Sequence, residues 1–253
     1  MDTTAEKSTS GLPDVATIGV SAPFGWLAGA WKDMWSAPGP FLFYGVGLAL
    51  VSVALTLALF YSGAADWIMV LAGGFLFVAP MLAMGLYEAG RRLELGEKPN
   101  LGQMLFVKTA STRDLAYLGL ALLLVYFFWG RIAQLVYALS TYRKHETVRE
   151  FFTFMLTEPE GQAMAMTGTV IGGIIAFIAF ALVVISAPML LERRTEVFVA
   201  TVTSIRSVLN NPLPMFIWAA LIAGLTILGM VTAYVGLIIV FPWIGLASWR
   251  AYR

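Results

Sequence analysis

Cysteine is absent from this 253-residue sequence, and histidine occurs only once. The first absence excludes disulfides and thiolate metal sites, and the second excludes haem ligation by two histidines within the chain. The single histidine, His145, lies in a polar loop, and no His, Asp and Glu cluster has the spacing of metal ligands. Neither a phosphate-binding glycine loop nor a nucleophile elbow occurs. We therefore expect no metal, no cofactor, no catalytic residue and no enzymatic activity.

Charged residues are also scarce, at 12% of the chain against 59% hydrophobic residues. A soluble domain is about half apolar and about a quarter charged. This composition therefore lacks the polar residues that a water-exposed surface needs, and it predicts an integral membrane protein. The net charge of +1 gives no reason to expect a nucleic-acid partner.

Long apolar runs divide the chain into predicted membrane-spanning helices. Four of them cover residues 41–61, 67–87, 115–139 and 168–191. As one helix, the last run, residues 214–249, would be about 54 Å long, which exceeds a bilayer core of about 30 Å. It is therefore predicted to form two spans with a turn between Gly229 and Gly236. The sequence thus predicts an all-α membrane protein with six transmembrane helices arranged as three hairpins.

Amphipathic segments between the spans are predicted to be interfacial helices on the membrane surface. The first covers residues 24–35, where three tryptophans are candidate anchors because tryptophan favours the membrane–water boundary. These candidate anchors are Trp26, Trp31 and Trp35. Three further surface helices are predicted to begin near Asn100, Thr147 and Val197.

The distribution of lysine and arginine predicts the orientation of the chain. The N-terminal tail, residues 88–114 and 192–212 and the C-terminus hold 12 of the 16 basic residues, and the loop before the fourth span holds three. Basic loops stay in the cytoplasm, so both termini are predicted to be cytoplasmic. Residues 1–22 lack an apolar signal segment and are predicted to be a disordered cytoplasmic tail. Residues 23–253 are then a single transmembrane domain.

The three predicted hairpins share features of an internal repeat. Each is preceded by a surface helix, and each returning helix contains a proline: Pro80, Pro188 and Pro242. The corresponding units cover residues 24–92, 100–196 and 197–253. Internal repeats are common in transporters, and chance matching of prolines in apolar sequence is the alternative explanation.

Arg131 is the only charged residue inside the predicted third span. Counted from Leu115, it lies about 24 Å into a core of about 30 Å, which is the outer leaflet. Either the side chain snorkels to the outer head groups, or it faces the bundle interior. In the second case it shares a candidate intramembrane polar site with Gln134 and with Asp66, which lies in the turn between the first two spans.

Charged residues also concentrate where two returning helices reach the predicted inner side. These inner-elbow residues are Glu88, Arg91, Arg92, Glu192, Arg193 and Arg194. They are either solvated helix ends or a site that binds lipid head groups or a partner protein.

Three segments, taken in order, resemble one known family. They are residues 25–45 with Pro38-Gly39-Pro40, residues 85–99 beginning Gly-Leu-Tyr-Glu, and residues 248–253 reading Ser-Trp-Arg-Ala-Tyr-Arg. Together they are similar to a bacterial family of six-helix integral membrane proteins known as domain of unknown function 2189. In that family the last segment often reads Trp-His-Ala-Tyr-Arg, and Arg250 takes the histidine position here. The resemblance implies a multi-pass protein of the bacterial inner (plasma) membrane and no particular activity.

The scarcity of chemically reactive motifs and the number of surface helices favour a protein that works by binding. We expect an accessory or assembly subunit or a lipid-interacting protein, with membrane lipids as partners and another membrane protein complex as a further candidate partner. The oligomeric state is not predicted. The alternative is a transporter or channel for a small neutral or anionic solute, which a polar cavity at mid-membrane would favour.

Overall fold

The structure of the chain is a computed structural model that describes residues 12–61, 74–75, 78–142 and 147–253. All regular secondary structure in these residues is helical. Eleven helices are bounded there: α1 (Ala22–Ser36), α2 (Pro38–Tyr61), α3 (Met84–Glu94), α4 (Leu101–Leu105), α5 (Thr112–Ser140), α6 (Val148–Thr157), α7 (Pro159–Val183), α8 (Ser186–Glu192), α9 (Val197–Asn210), α10 (Pro212–Val231) and α11 (Leu237–Tyr252).

Four segments are long and apolar enough to cross a membrane. They are Pro38–Ala58 in α2, Thr112–Ser140 (α5), Pro159–Glu192, which joins α7 and α8, and Pro212–Val231 (α10). They confirm an all-helical membrane protein for the described part of the chain. Most of the predicted second span lies outside the described residues, and α11 has only 16 residues. The arrangement of six spans in three hairpins therefore stays a prediction.

The C-terminal helix α11 lies at the centre of the fold. It packs against α1, α2, α3 and α10, and its buried residues include Phe241, Ile244 and Trp249. Its contact with α2 is close enough to require glycine, because a Cβ added at Gly45 would collide with the backbone carbonyl of Ile238. Helices that lack bulky side chains at the contact can approach at backbone distance.

The turn between α10 and α11 lies in the interval that the sequence predicted. Ala233 and Tyr234 have positive φ angles of 52° and 67°, and the side chain of Thr232 accepts a hydrogen bond from the Gly236 N–H at 2.8 Å. The Tyr234 hydroxyl also forms a 2.8 Å hydrogen bond with Thr56 of α2. This bond joins the turn to the distal half of α2.

The predicted fourth span, residues 168–191, starts earlier in the structure and is interrupted. Helix α7 begins at Pro159, because the first helical position needs no backbone N–H donor. The end of the predicted polar loop is therefore helical. The helix stops after Val183, where the Ile185 N–H donates to the buried Ser204 hydroxyl of α9 at 3.1 Å.

The predicted surface segments are helical, as α1, α4, α6 and α9. At the start of α4, the Asn100 side chain accepts from the Gln103 N–H at 3.0 Å and the Gln103 side chain accepts from the Asn100 N–H at 3.2 Å. This is the reciprocal capping box expected from the sequence. Thr147 caps α6 by accepting from the Glu150 N–H at 3.2 Å. Their location on a membrane surface stays a prediction.

The segment before α1 is joined to the helical domain by hydrogen bonds to one side chain and by Ile18, which packs against the buried core. Asn211, between α9 and α10, accepts from the Ile18 N–H at 2.8 Å and donates to the Ala16 carbonyl at 2.9 Å. At these two positions the predicted disordered tail is hydrogen-bonded to the domain. Residues 1–11 of that tail lie outside the described residues.

Candidate functional site

Three helices end close together at one end of the bundle: α3 at Glu94, α8 at Glu192 and α11 at Tyr252. Ion pairs join their charged side chains into two networks, one around Glu88 and one around Arg253, which line the same pocket and which we together name the charged-end cluster. Its members are Glu88, Arg91, Arg92, Glu94, Glu97, Glu192, Arg193 and Arg253.

Glu88 is the buried member of the cluster, with 4% of its surface exposed. Its carboxylate accepts from Arg91 Nε and Nη2 at 2.8 and 2.9 Å and from Arg92 Nε at 2.7 Å. Arg92 also pairs with Glu97 at 2.7 Å. A buried carboxylate is tolerated only when partners compensate its lost hydration, and the two arginines one turn further along α3 provide that compensation.

Glu192 joins the end of α8 to the end of α11. It accepts hydrogen bonds from the Tyr252 hydroxyl and from Arg253 Nη1, the latter at 3.1 Å. Arg253 Nε also pairs with Glu94 of α3 at 3.1 Å. Burial raises the pKa of the Tyr252 phenol, and its hydrogen bond to Glu192 raises the pKa further. Tyr252 thus donates a stable hydrogen bond at neutral pH.

The structure brings five of the six predicted inner-elbow residues into this cluster. Arg193 lies beside Glu192 and above the Tyr252 ring, with its guanidinium carbon 5.9 Å from the ring centroid. Arg194 is exposed and forms no ion pair with the described residues. The sequence predicted that charges concentrate here, but it did not predict that Arg253 joins the two elbows.

A second charged contact, between Asp33 and Arg250, joins α1 to α11. Arg250 Nε and Nη2 donate to the two carboxylate oxygens of Asp33 at 2.6 and 2.9 Å. The sequence alone does not predict this pair, because 217 residues separate its members and no local pattern links them.

An open pocket of about 370 Å³ lies at the charged end, between α3, the segment before α5 and the end of α8. Arg91, Lys108 and Arg253 supply its positive charges, and Glu94 and Glu192 supply its negative charges. This end of the fold therefore holds a polar recess beside a network of ion pairs.

A separate cavity of about 300 Å³ lies among α3, α5, α7, α10 and α11. Apolar residues form most of its wall, including Phe177, Phe180 and Phe216. Its polar lining residues within the described chain are Tyr87, Thr226 and Ser248, and the Ser248 hydroxyl donates to the Ile244 carbonyl at 2.9 Å. No charged side chain of the described residues lines it.

The predicted intramembrane polar site is described only in part. Arg131 is exposed on α5 and donates from Nη1 to Gln134 Oε1 at 3.2 Å. Asp66 lies outside the described residues, so its pairing with Arg131 stays a prediction. An exposed position for Arg131 supports snorkelling to head groups.

The three predicted interfacial anchors occupy different environments on α1. Trp26 is half-buried against Trp218 of α10, with ring centroids 5.6 Å apart. Trp31 and Trp35 remain partly exposed, and Trp31 also packs edge-on against Trp243 of α11 at 5.1 Å. The buried face of α1 consists of Pro23, Leu27, Ala30 and Met34. Contact of Trp31 and Trp35 with the membrane stays a prediction.

Four apolar helices long enough to cross a membrane, a charged end and a partly open apolar cavity are the features of a multi-helix integral membrane protein. The family described as a predicted integral membrane protein, DUF2189, matches residues 68–192. This match confirms the resemblance drawn from the sequence, although two of the three segments that suggested it lie outside the matched residues. Searches of curated proteins and of solved structures gave no significant match. Among the described residues, no three His, Cys, Asp or Glu side chains are placed to hold a metal ion.

Proposed function

We propose that this protein is a non-enzymatic, lipid-interacting membrane protein that holds an apolar chain, of an acyl or isoprenoid lipid, in the cavity among α5, α7, α10 and α11. The observation that carries the proposal is the apolar wall of that cavity. Its volume of about 300 Å³ lies at the lower end of the range for ligand sites, about 300–1,000 Å³.

The driving force for such binding is packing. A lipid chain that leaves the bilayer gains little hydrophobic free energy, because lipid tails are as apolar as the cavity wall. An empty cavity, however, deprives its wall of dispersion contacts. A flexible chain that fills the space between Phe177, Phe180 and Phe216 restores those contacts.

The hydroxyl groups of the wall favour a neutral polar group on the ligand. Tyr87, Thr226 and Ser248 offer donors and acceptors without charge. An ester carbonyl or a hydroxyl is matched to such groups, whereas a buried ion requires a compensating charge. The same reasoning disfavours the alternative from the sequence, a transporter or channel for a small anion, and leaves a carrier for a small neutral solute as the second candidate function.

The six-span topology and the cytoplasmic position of both termini are part of this proposal. The distal half of α2 lies beside the α10–α11 turn, and α3 lies at the opposite, charged end of the bundle. Residues 74–75 and 78–82, which precede α3, are helical, and this favours a second span between α2 and α3. Asp33, Asn211 and Arg253 join α1, α10 and the C-terminus to the same end of the bundle. The basic residues of the sequence make that end cytoplasmic under the positive-inside rule, as in a bacterial inner membrane.

The proposed role also leaves room for a partner protein. Helix α5 exposes large apolar side chains along its length, among them Leu120, Leu124, Phe127 and Phe128. In a bilayer these side chains contact lipid or another membrane protein. An accessory or assembly subunit would use such a face, while the cavity would hold the lipid.

Photocrosslinking with a phospholipid that carries a diazirine in its acyl chain tests the proposal. Gly173 lines the cavity, and an added Cβ there meets no atom within 4 Å. Gly168, on the same helix, also has free space but does not line the cavity. We expect crosslinks to cavity residues in the wild type and in Gly168→Phe, and their loss in Gly173→Phe, because the phenyl ring fills the space.

The proposal fails if crosslinks spread evenly over lipid-facing helices in the wild type, or if Gly173→Phe and Gly168→Phe give the same pattern. Unfolding temperatures of both variants establish that they are folded before the lipid is added.

A further inference from the structure

We propose that the pocket at the charged end binds a phosphate group through Lys108, Arg91 and Arg253. The proposal rests on the proposed function only in taking a lipid head group as one source of that phosphate. The pocket of about 370 Å³ is distinct from the apolar cavity, since the two share no lining residue.

The charge balance of the pocket and its surroundings favours an anion. The four carboxylates of the charged-end cluster belong to Glu88, Glu94, Glu97 and Glu192, and each pairs with one or more of its four arginines. Lys108 lines the same pocket and forms no ion pair with a described residue. Its ammonium group is therefore a surplus positive charge at the pocket wall.

Three cationic side chains of the pocket also keep hydrogen-bond donors that a bound anion can use. Arg91 uses Nε and Nη2 for Glu88, which leaves its Nη1 without a partner in the described chain. Arg253 uses Nε for Glu94 and Nη1 for Glu192, which leaves its Nη2. Together with Lys108 Nζ, three cationic groups on three segments of the chain retain N–H donors.

This donor set fits phosphate better than a smaller anion. Phosphate carries several acceptor oxygens and accepts charge-assisted hydrogen bonds from arginine and lysine together. The carboxylates of Glu94 and Glu192 disfavour any anion that makes a single contact. They also fix the guanidinium group of Arg253, so its remaining N–H groups are already positioned.

Either a phospholipid head group or a soluble phosphate compound can supply this group. Basic pockets at the cytoplasmic ends of membrane helices bind phospholipid head groups, and the apolar residues Leu95 and Leu191 also line this pocket. A phospholipid whose phosphate binds the cationic groups and whose glycerol backbone contacts these leucines would occupy the whole pocket wall.

The test measures the unfolding temperature of the purified full chain in detergent as inorganic phosphate is added, with chloride at matched ionic strength as the reference. We expect the unfolding temperature to rise saturably with phosphate and not with chloride. Lys108→Gln should weaken the apparent affinity at least about tenfold, the loss expected for one charge-assisted hydrogen bond. Lys108→Arg should retain binding. Lys98→Gln is the matched control, because Lys98 is exposed and does not line the pocket.

A second measurement identifies the source of the phosphate. Native mass spectrometry compares retention of phosphatidylglycerol with that of diacylglycerol, which lacks the phosphate. Retention of phosphatidylglycerol alone, lost in Lys108→Gln, assigns the site to a lipid head group. A response to inorganic phosphate without selective lipid retention assigns it to a soluble phosphate compound.

The inference is overturned if phosphate and chloride change the unfolding temperature equally and the retention of neither lipid depends on Lys108. It is also overturned if Lys108→Gln and Lys98→Gln bind phosphate equally well. Gly173→Phe separates it from the proposed function. That variant should still bind phosphate if only the apolar cavity is blocked.

Discussion

Helices α5 and α11 are both apolar, but they occupy opposite environments. Nine of the 16 residues of α11 are buried, whereas only Leu118 and Leu122 are buried among the 29 of α5. The longest uninterrupted span in the sequence is therefore peripheral, and a shorter helix forms the core. Apolar composition does not separate the two cases, because a membrane protein can be apolar both inside and on its lipid-facing surface.

Two features distinguish the central helix from the peripheral one. Helix α11 has three small residues within one turn, Gly245, Ala247 and Ser248, which let neighbouring helices approach closely. Gly245 contacts the Leu86 side chain of α3. The charged residue of α11, Arg250, has a carboxylate partner on another helix. Arg131, the charged residue of α5 beyond its first turn, is exposed and contacts Gln134 one turn away.

The largest expected effect comes from adding one methyl group at the contact of α2 with α11, compared with one methyl group on α5. Gly45→Ala places a Cβ against the Ile238 carbonyl of α11, and backbone atoms cannot turn aside as a side chain can. We expect a loss of about 3 kcal/mol in the free energy of unfolding, the upper part of the range for overpacking. Gly119→Ala on α5 meets only Met81 Sδ at 3.7 Å, and should be neutral or stabilising because alanine favours helix.

Unfolding in mixed detergent micelles, followed by circular dichroism, measures both variants. Equal stabilities for Gly45→Ala and Gly119→Ala would contradict a central position for α11.

Removal of Arg250 from α11 and of Arg131 from α5 gives the next largest contrast. Arg250→Leu leaves Asp33 without its two charge-assisted hydrogen bonds, and because the pair is partly exposed we expect a loss of about 2 kcal/mol. The second change Asp33→Asn should restore part of this loss, since it removes the unpaired charge. Arg131→Leu should leave stability unchanged or raise it if the arginine only snorkels.

A destabilised Arg131→Leu that Asp66→Asn partly rescues would instead support the predicted pair of Arg131 and Asp66. The same unfolding measurement on the four variants distinguishes these results.

The sequence predicts those parts of the fold that depend on neighbouring residues. The length of the last apolar run required a turn, and the turn formed at Ala233 and Tyr234 within the predicted interval. Asn100 and Gln103 are three residues apart, so their capping box was also predictable.

Features made by distant residues were not predictable in this way. At the break after Val183, the Ile185 N–H donates to the hydroxyl of Ser204, which comes from another helix. The pairing of Arg250 with Asp33 requires the fold to bring together the two ends of the chain. No sequence pattern marks the apolar cavity. It is the space left where the small alanine and glycine residues of its wall do not fill the bundle.

Aromatic packing provides a smaller contrast between the same regions. Trp31 packs edge-on against Trp243 of α11 with ring centroids 5.1 Å apart, and such a pair contributes about 1 kcal/mol beyond its area. Trp31→Ala should therefore lower the free energy of unfolding by at least about that amount. Leu120→Ala on the exposed face of α5 should have a smaller effect, because lipid replaces the lost contacts. A greater loss in Leu120→Ala would reveal a protein partner on α5.

The smallest expected effect is a dependence on pH at the end of α11. The phenol of Tyr252 has a pKa raised above the ordinary value near 10 by burial and by Glu192. Above about pH 10 the unfolded chain loses this proton while the folded chain keeps it. Loss of the proton from the unfolded chain alone lowers the free energy of unfolding. The contribution of Tyr252 to stability is therefore complete below that pH and declines above it.

The difference in free energy of unfolding between wild type and Tyr252→Phe should therefore be constant from pH 7 to 9 and shift against the wild type above pH 10. Tyr117→Phe, at an exposed position of α5, is the matched control for the loss of a tyrosine hydroxyl. A pH-independent difference for Tyr252→Phe would show that Glu192 and the buried end of α11 do not hold this phenol protonated.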